Sequence, residues 1–271
     1  MPKTVLITGA STGIGYETAK RFQQQGWNVV ATMRSPEKVP ELATLANVVC
    51  LKLDVTDLAS IQAGVAAALQ HFQTIDVLVN NAGYGLIGPF EACSREELQR
   101  QFDTNVFGLM DVTRALLPHF REQRSGVIIN VASVGGHITI PLYSPYHATK
   151  WAVEGFSESL QYELEPFNIR VKLIEPGPIK TDFYSRSKVF ASQPGLTAYD
   201  EFIARVKPAF DQADTAGSPP SVTADIIYQA AIADNPRLRY PAGGNASAIL
   251  FLRKLLPDAI FHRLIRLAVV R

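Results

Sequence analysis

Short runs of β-branched and aliphatic residues recur along this chain, each followed by a stretch whose apolar positions return every three to four residues. The runs Thr4–Thr8, Asn28–Thr32, Val48–Leu53, Ile75–Val79, Gly126–Val131 and Ile169–Ile174 read as strands, and the stretches between them as amphipathic helices. That alternation predicts an α/β architecture: a single-domain, Rossmann-like, doubly wound parallel sheet with helices on both faces. Right-handed crossovers leave ligand crevices outside the carboxyl ends of such strands, so the chemistry is sought there. At 271 residues, one domain over 1–271 accommodates the pattern.

The rhythm breaks over residues 182–221, where Pro194, Gly195, Pro208, Gly217, Pro219 and Pro220 mix with Phe183, Tyr184, Phe190, Tyr199, Phe202 and Phe210. A connection that long is functional or disordered. Its six aromatics predict an ordered, partly helical flap beside a site. The tail, 246–271, places Leu255, Leu256, Phe261, Leu264, Ile265 and Ala268 where they can form an apolar face. It sets five cations (Arg253, Lys254, Arg263, Arg266, Arg271) against one acid, Asp258, a net of +4 on a chain totalling +1, so the preceding residues carry −3. Such a segment packs on its own chain or a neighbouring subunit, or lies on an anionic membrane.

Composition mostly excludes. With 47% apolar residues, 19% charged residues and a net charge of +1, the chain reads as a soluble globule without the basic footprint of a nucleic-acid binder. Cys50 and Cys93 have no CxxC spacing, so neither a disulfide framework nor a metal site is indicated, and a reduced, cytoplasmic protein is expected. Lys3 already opens the first strand, leaving no room for a signal peptide, and no apolar stretch reaches about 18 residues.

The chemistry begins at Gly9-Ala10-Ser11-Thr12-Gly13-Ile14-Gly15, which follows the first strand and opens a helix. Backbone N–H groups at a helix N-terminus favour a pyrophosphate, and glycine lets the backbone approach it. The spacing is GxxxGxG and not GxGxxG, so a plain tight turn stays open as the alternative. No acid ends the second strand to hold an adenosine ribose: Met33 stands there and Arg34 follows. A guanidinium suits a 2′-phosphate, which selects NADP(H) over NAD(H), the alternative being a solvated loop arginine. Asp54, with Val55 beside it, is either an adenine contact or part of a helix cap with Thr56 and Asp57.

Tyr146-x-x-x-Lys150 sets a phenol and an ammonium one helical turn apart. Tyr16/Lys20 and Tyr184/Lys188 share the spacing, but only Tyr146 sits at a helix start, with Ser144 as N-cap and Pro145 in the first turn, following the strand that leads to Ser133. The helix dipole, Lys150 and an oxidised nicotinamide are expected to lower the phenol pKa from about 10, making Tyr146 the acid/base, with Ser133 holding the same substrate oxygen.

From Lys3 to Thr181 these segments resemble the short-chain dehydrogenase/reductase family. Thr8–Gly15 resembles its TGxxxGIG, Asn80-Asn81-Ala82-Gly83 its NNAG, and Asn105 its helix asparagine. Ser133, Tyr146 and Lys150 resemble its catalytic serine and YxxxK, and Pro176-Gly177, with Ile179 and Thr181, its nicotinamide-side segment. The resemblance implies that Asn105 holds a water relaying protons from Lys150, and that Lys150 also binds the nicotinamide ribose. Thr12 departs from the basic residue many NADP-linked members carry there. Val134, Ile138, Ile140, Leu142 and Tyr143 suggest an apolar pocket for a small hydrophobic carbonyl or alcohol, and the segment from Ala31 to Arg34 and the flap resemble hydroxysteroid- and retinol-dehydrogenase-like members. A 3-oxoacyl-thioester reductase, using Arg121, Arg124, Arg186 and Lys188 to meet a carrier protein, and a non-catalytic NADP(H) sensor are the other readings. The family's habits imply a homodimer or homotetramer. His137 and His147 read as hydrogen-bonded structural residues.

Overall fold

The computed structural model describes residues 2–180 and 188–270. Its strands, in chain order, are β1 (Thr4–Thr8), β2 (Asn28–Met33), β3 (Val48–Lys52), β4 (Val77–Asn80), β5 (Gly85–Ile87), β6 (Gly126–Val131), β7 (Ile169–Pro176), β8 (Lys188–Phe190) and β9 (Arg239–Ala242). The helices are α1 (Gly13–Gln24), α2 (Pro40–Ala43), α3 (Leu58–Phe72), α4 (Arg95–Phe102), α5 (Gly108–Gln123), α6 (Ser144–Leu164), α7 (Asp200–Ala216), α8 (Pro220–Ile232), α9 (Ala246–Leu255) and α10 (Asp258–Ile265).

Seven strands pair in parallel in the order β3-β2-β1-β4-β6-β7-β9, the doubly wound, Rossmann-like arrangement expected. Side-chain alternation divides the core into two layers. Val5 and Ile7 of β1 meet Phe22 of α1 and Ile227 of α8 on one face. Leu6, between them, meets Val112, Leu116 and Phe120 of α5 with Leu160 of α6 on the other. Each such fully buried side chain contributes roughly 1.5–3 kcal/mol. Asp57 starts α3 by accepting from the N–H groups of Ala59 and Ser60, and Ser94 with Glu97 forms a capping box on α4.

Several boundaries differ from the sequence reading. The fourth strand starts at Val77, and β7 runs on to Pro176. Ser144 lies inside α6, whose N-cap is Tyr143 and which has no side-chain cap. Three strands fall outside the hydrophobic pattern. Strand β9 contains Pro241, tolerated because β9 is the sheet's edge, and β5 pairs with β8 in a separate ribbon. The flap supplies β8 and α7, while Phe183 and Tyr184 lie outside the described residues.

The tail folds back as α9 and α10, ending in a π turn over Arg266–Val270. It hangs from β9 by Gly243-Gly244, both with positive φ (+59° and +51°). A Cβ on Gly244 would stand 2.5 Å from the Pro178 nitrogen, so this turn presses on the chain after β7. Gly244→Ala is therefore expected to lower the melting temperature by about 5 °C or more, combining left-handed strain with a backbone clash. A thermal melt followed by circular dichroism checks this; an unchanged midpoint would mean that the turn relaxes freely.

Candidate active site

The carboxyl ends of β1, β4, β6 and β7 open on one cavity of about 830 Å³. At one end lies the turn between β1 and α1. Gly9 has φ +66° there, and a Cβ on it would lie 2.8 Å from the Ala82 Cα. Asn81 staples the turn, its side-chain amide donating to the carbonyls of Thr8 and Gly9 at 3.0 and 3.1 Å. The Thr8 hydroxyl accepts in turn from the N–H groups of Asn81 and Ala82. Gly9, Ser11, Thr12, Gly13 and Ile14 line the cavity, as do Asn81, Ala82 and Gly83. Gly15 does not: a Cβ there would lie 2.4 Å from the Gly9 carbonyl oxygen and from the Asn81 amide nitrogen, so it closes the turn from behind. A cradle shaped by missing Cβ atoms at a helix N-terminus fits a dinucleotide pyrophosphate.

Arg34 is exposed at the same end, beside the lining residues Asp54 and Val55. Of the two roles open to the acids here, the cap falls to Asp57, while Asp54 accepts from the Thr56 N–H and hydroxyl at 3.0 and 2.8 Å. Pro176, Gly177 and Ile179 line the cavity beyond β7; Thr181 lies outside the described residues.

At the centre, Ser133, Tyr146 and Lys150 come together. Ser133 follows β6, its hydroxyl accepting from the Gly135 N–H at 3.0 Å and hydrogen-bonded to the Tyr146 phenol. The Lys150 ammonium donates to the Val131 carbonyl at 2.8 Å and sits 5.7 Å from the centre of the Tyr146 ring. Burial pushes the phenol up to about 12, against the opposing pull of the Ser133 hydrogen bond. Desolvation at the cavity wall thus acts against the lowering that the helix dipole, Lys150 and an oxidised nicotinamide are expected to give together. Burial also brings Lys150 down to about 8, opposed by the negative charge of Glu154.

Asn105 stands behind this group in a π turn, Asp103–Phe107, joining α4 to α5. Its side chain is committed to the Tyr84 backbone, accepting at 3.0 Å and donating at 2.9 Å, and also donates to the Thr149 hydroxyl at 3.1 Å. It thus fixes the turn after Gly83 against α6. Of the other tyrosine–lysine pairs, Tyr16 and Lys20 do not line this cavity, Lys20 lying over the Tyr16 ring on α1, and Tyr184 is outside the described residues. A family model described as short chain dehydrogenase matches residues 3–189, a span that contains both the glycine cradle and the Ser133–Tyr146–Lys150 group.

The chain belongs to the short-chain dehydrogenase family. A short-chain dehydrogenase from Streptomyces avermitilis superposes with a TM-score of 0.84 at 33% identity, over 97% of this chain and 96% of that one. Among curated relatives, a 3-ketodihydrosphingosine reductase of Bacteroides thetaiotaomicron is 33% identical over 98% of this chain and 97% of its own length. Retinol dehydrogenase 8 of Bos taurus is 35% identical over 96% and 88%. Solved members contain either dinucleotide: ElxO holds NADP (TM-score 0.74, 26% identity, 92% of this chain and 100% of that one), and a Burkholderia phymatum enzyme holds NAD (0.82, 25%, 97% and 95%).

The other end of this short-chain dehydrogenase's cavity is apolar. Val134, Ile138, Ile140 and Tyr143 line it as the sequence suggested, whereas Leu142, at φ +64°, packs in the adjoining cluster. The flap contributes Val189 and Phe210, while Phe190 is exposed and Tyr199 donates to Glu91. The tail closes the space: Phe261, Ile265 and Val269, at helical spacing i, i+4, i+8, turn into the cavity. Phe261 and Ile265 belong to the apolar face expected from the sequence; Val269 and the destination of that face come from the fold.

His147 is a staple, bonded to the Gly135 carbonyl at 2.9 Å and accepting from the Ile140 N–H at 3.1 Å, with burial bringing its pKa down to about 4. His137 enters a charge cluster absent from the sequence reading. Its Nε2 faces Glu175 at 2.7 Å and Glu154 at 3.3 Å, both carboxylates deeply buried. Arg239 of β9 pairs with Glu154 at 3.0 Å and reaches Glu158. The donor atoms of His137, Glu154 and Glu175 lie within metal-binding distance of one another, but the Arg239 guanidinium already supplies positive charge there. Among the described residues, no helix is long and apolar enough to cross a membrane.

Proposed function

We propose that this oxidoreductase reduces a bulky apolar ketone or aldehyde with NADPH, in a reaction reversible toward the alcohol. The observation that carries this reading is the position of the hydrogen-bonded Ser133–Tyr146 pair between a glycine-lined cradle and an apolar chamber. Gly9, Ser11, Thr12, Gly13 and Ile14 would hold the pyrophosphate; Asp54, Val55, Asn81, Ala82 and Gly83 the adenosine side; Pro176, Gly177, Ile179 and Thr181 the nicotinamide side. The bound dinucleotide supplies the hydride. Ser133 and Tyr146 then hold the substrate oxygen, and the phenol gives it a proton as negative charge develops. A phenol near 12 is protonated at neutral pH, which favours the reductive direction. Lys150, one turn on from Tyr146 along α6 and donating to the Val131 carbonyl of β6, restores that proton, and Asn105 positions the helix that carries both.

Arg34 supports NADP(H), since no acid stands at the end of β2. The carrier-protein reading is weaker. Arg124 caps α5 and donates to the Pro166 carbonyl, at the amino ends of the strands, away from the cavity at their carboxyl ends. The intact catalytic group opposes the sensor reading.

The test is loss of nicotinamide absorbance with NADPH and NADH separately, against apolar ketones and aldehydes. NADPH consumption is expected, and Arg34→Ala should reduce kcat/KM for NADPH by about tenfold or more while barely changing that for NADH. Equal loss with both dinucleotides would remove the assigned role of Arg34, and no turnover on any carbonyl would overturn the reductase reading.

A further inference from the structure

The tail's inner side closes the cavity, but its outer side is not polar. Helix α9 exposes Phe251, Leu252 and Leu255, with Phe251 and Leu255 each 64% accessible. Helix α10 and the turn after it expose Ile260, Leu264 and Leu267, at spacing i, i+4, i+7. These are helical stripes, not scattered exposures. Leu252 and Leu264 belong both to the stripes and to the cavity wall, so the apolar surface runs without interruption from the outside of the tail to the chamber facing Tyr146.

The charge around the stripes has one sign. The only acid between residues 246 and 270, Asp258, is paired with Arg253, whose Nε also donates to the His137 carbonyl. Lys254, Arg263 and Arg266 are exposed beside the stripes with no acid of the tail left to balance them. The rest of the chain is net acidic, so this basicity is local. Exposed apolar stripes interleaved with excess cations match an interface whose surface is anionic and whose interior is hydrocarbon.

We propose that α9 and α10 dock this protein on an anionic phospholipid bilayer, with the cavity mouth at Leu252 and Leu264 turned toward the lipid. This rests on the apolar-carbonyl reading above and extends it: a substrate dissolved in the bilayer enters along an apolar path without crossing water. Each cation held at an anionic surface strengthens binding by about fivefold, and the stripes add the burial that makes attachment outlast a purely electrostatic encounter.

The test is co-sedimentation of the full chain with phosphatidylcholine vesicles, with or without phosphatidylserine, at low and high salt. Partition onto the anionic vesicles is expected to exceed that onto neutral ones by at least tenfold and to weaken with salt. Phe251→Ser/Leu255→Ser should leave the protein in the supernatant, and Lys254→Glu/Arg263→Glu should remove the preference for anionic lipid. None of these four residues lines the cavity, so turnover of a water-soluble ketone and the thermal midpoint should match wild type. Wild type remaining in the supernatant at low salt overturns the proposal, as does pelleting unaffected by either double substitution. If Phe251→Ser/Leu255→Ser instead dissociates a dimer in sedimentation velocity and vesicles never bind, a second copy covers this face and the proposal fails. Sedimentation is independent of turnover, so an inactive but vesicle-bound protein would count against the reductase reading alone.

Discussion

Tyr146→Phe is expected to lower carbonyl turnover by about 10²- to 10⁴-fold, the range a positioned acid contributes, while the dissociation constant for NADPH stays within about twofold. The substitution removes one oxygen from a ring held by Tyr143 and the start of α6, so the packing survives. The protons involved come from two groups that burial moves in opposite directions: the phenol up to about 12, the ammonium down to about 8. Lys150 is therefore charged below about pH 8, and reduction should weaken as pH rises through that region, because the ammonium that restores the phenol proton is lost. Stopped-flow reduction across pH 6–10, with fluorescence titration of NADPH, measures both parts. A phenylalanine variant with turnover near wild type would remove Tyr146 from the reaction, whereas a large loss of NADPH affinity would make it a binding residue.

The second large effect concerns stability. Two deeply buried carboxylates, Glu154 and Glu175, share the imidazole of His137, whose pKa their close approach raises to about 9, with Arg239 on their other side and Glu158 at the rim. The folded pKa lies above the unfolded value of 6.5, so the native state binds this proton more tightly. The resulting stabilisation is fully present below about pH 6.5 and is lost as pH rises through about 9. His137 is partly exposed, and screening reduces the effect to on the order of 1–2 kcal/mol, a fall of about 2–8 °C in melting temperature. His137→Gln should start from a lower melting temperature at pH 6.5 and lose this fall between pH 6.5 and 9.5. Parallel slopes for variant and wild type would assign the alkaline loss to other groups.

Sequence patterns made some of these features legible and hid others for definite reasons. The inner strands read clearly because both of their faces are covered, so Val5, Leu6 and Ile7 are all apolar and the run is continuous. Strand β9 lies at the edge and reads Arg-Tyr-Pro-Ala, which carries no such signal. The glycine turn, Ser133, Tyr146 and Lys150 were visible as motifs because their chemistry demands particular residue types at short spacing. The His137–Glu154–Glu175–Arg239 cluster was not, since its members come from four separate elements and meet only through the fold. The burial of Tyr146 was hidden for a related reason: dipoles and charges can be counted along a chain, but desolvation depends on what closes over the phenol. Part of that enclosure comes from a tail more than a hundred residues away.

The attachment of the tail also sets an order of assembly. Strands β1 to β4 are complete by Asn80, and β9 joins the sheet only at its outer edge, with the Gly243–Gly244 turn and the two closing helices after it. On a translating ribosome the glycine-turn half therefore emerges well before the two helices that close the apolar end of the cavity, and its core is completed only when α8 packs on β1 and α1. Neither of the two core layers flanking the sheet contains a residue of the last two helices, so substitutions on their outer side leave the sheet's packing untouched.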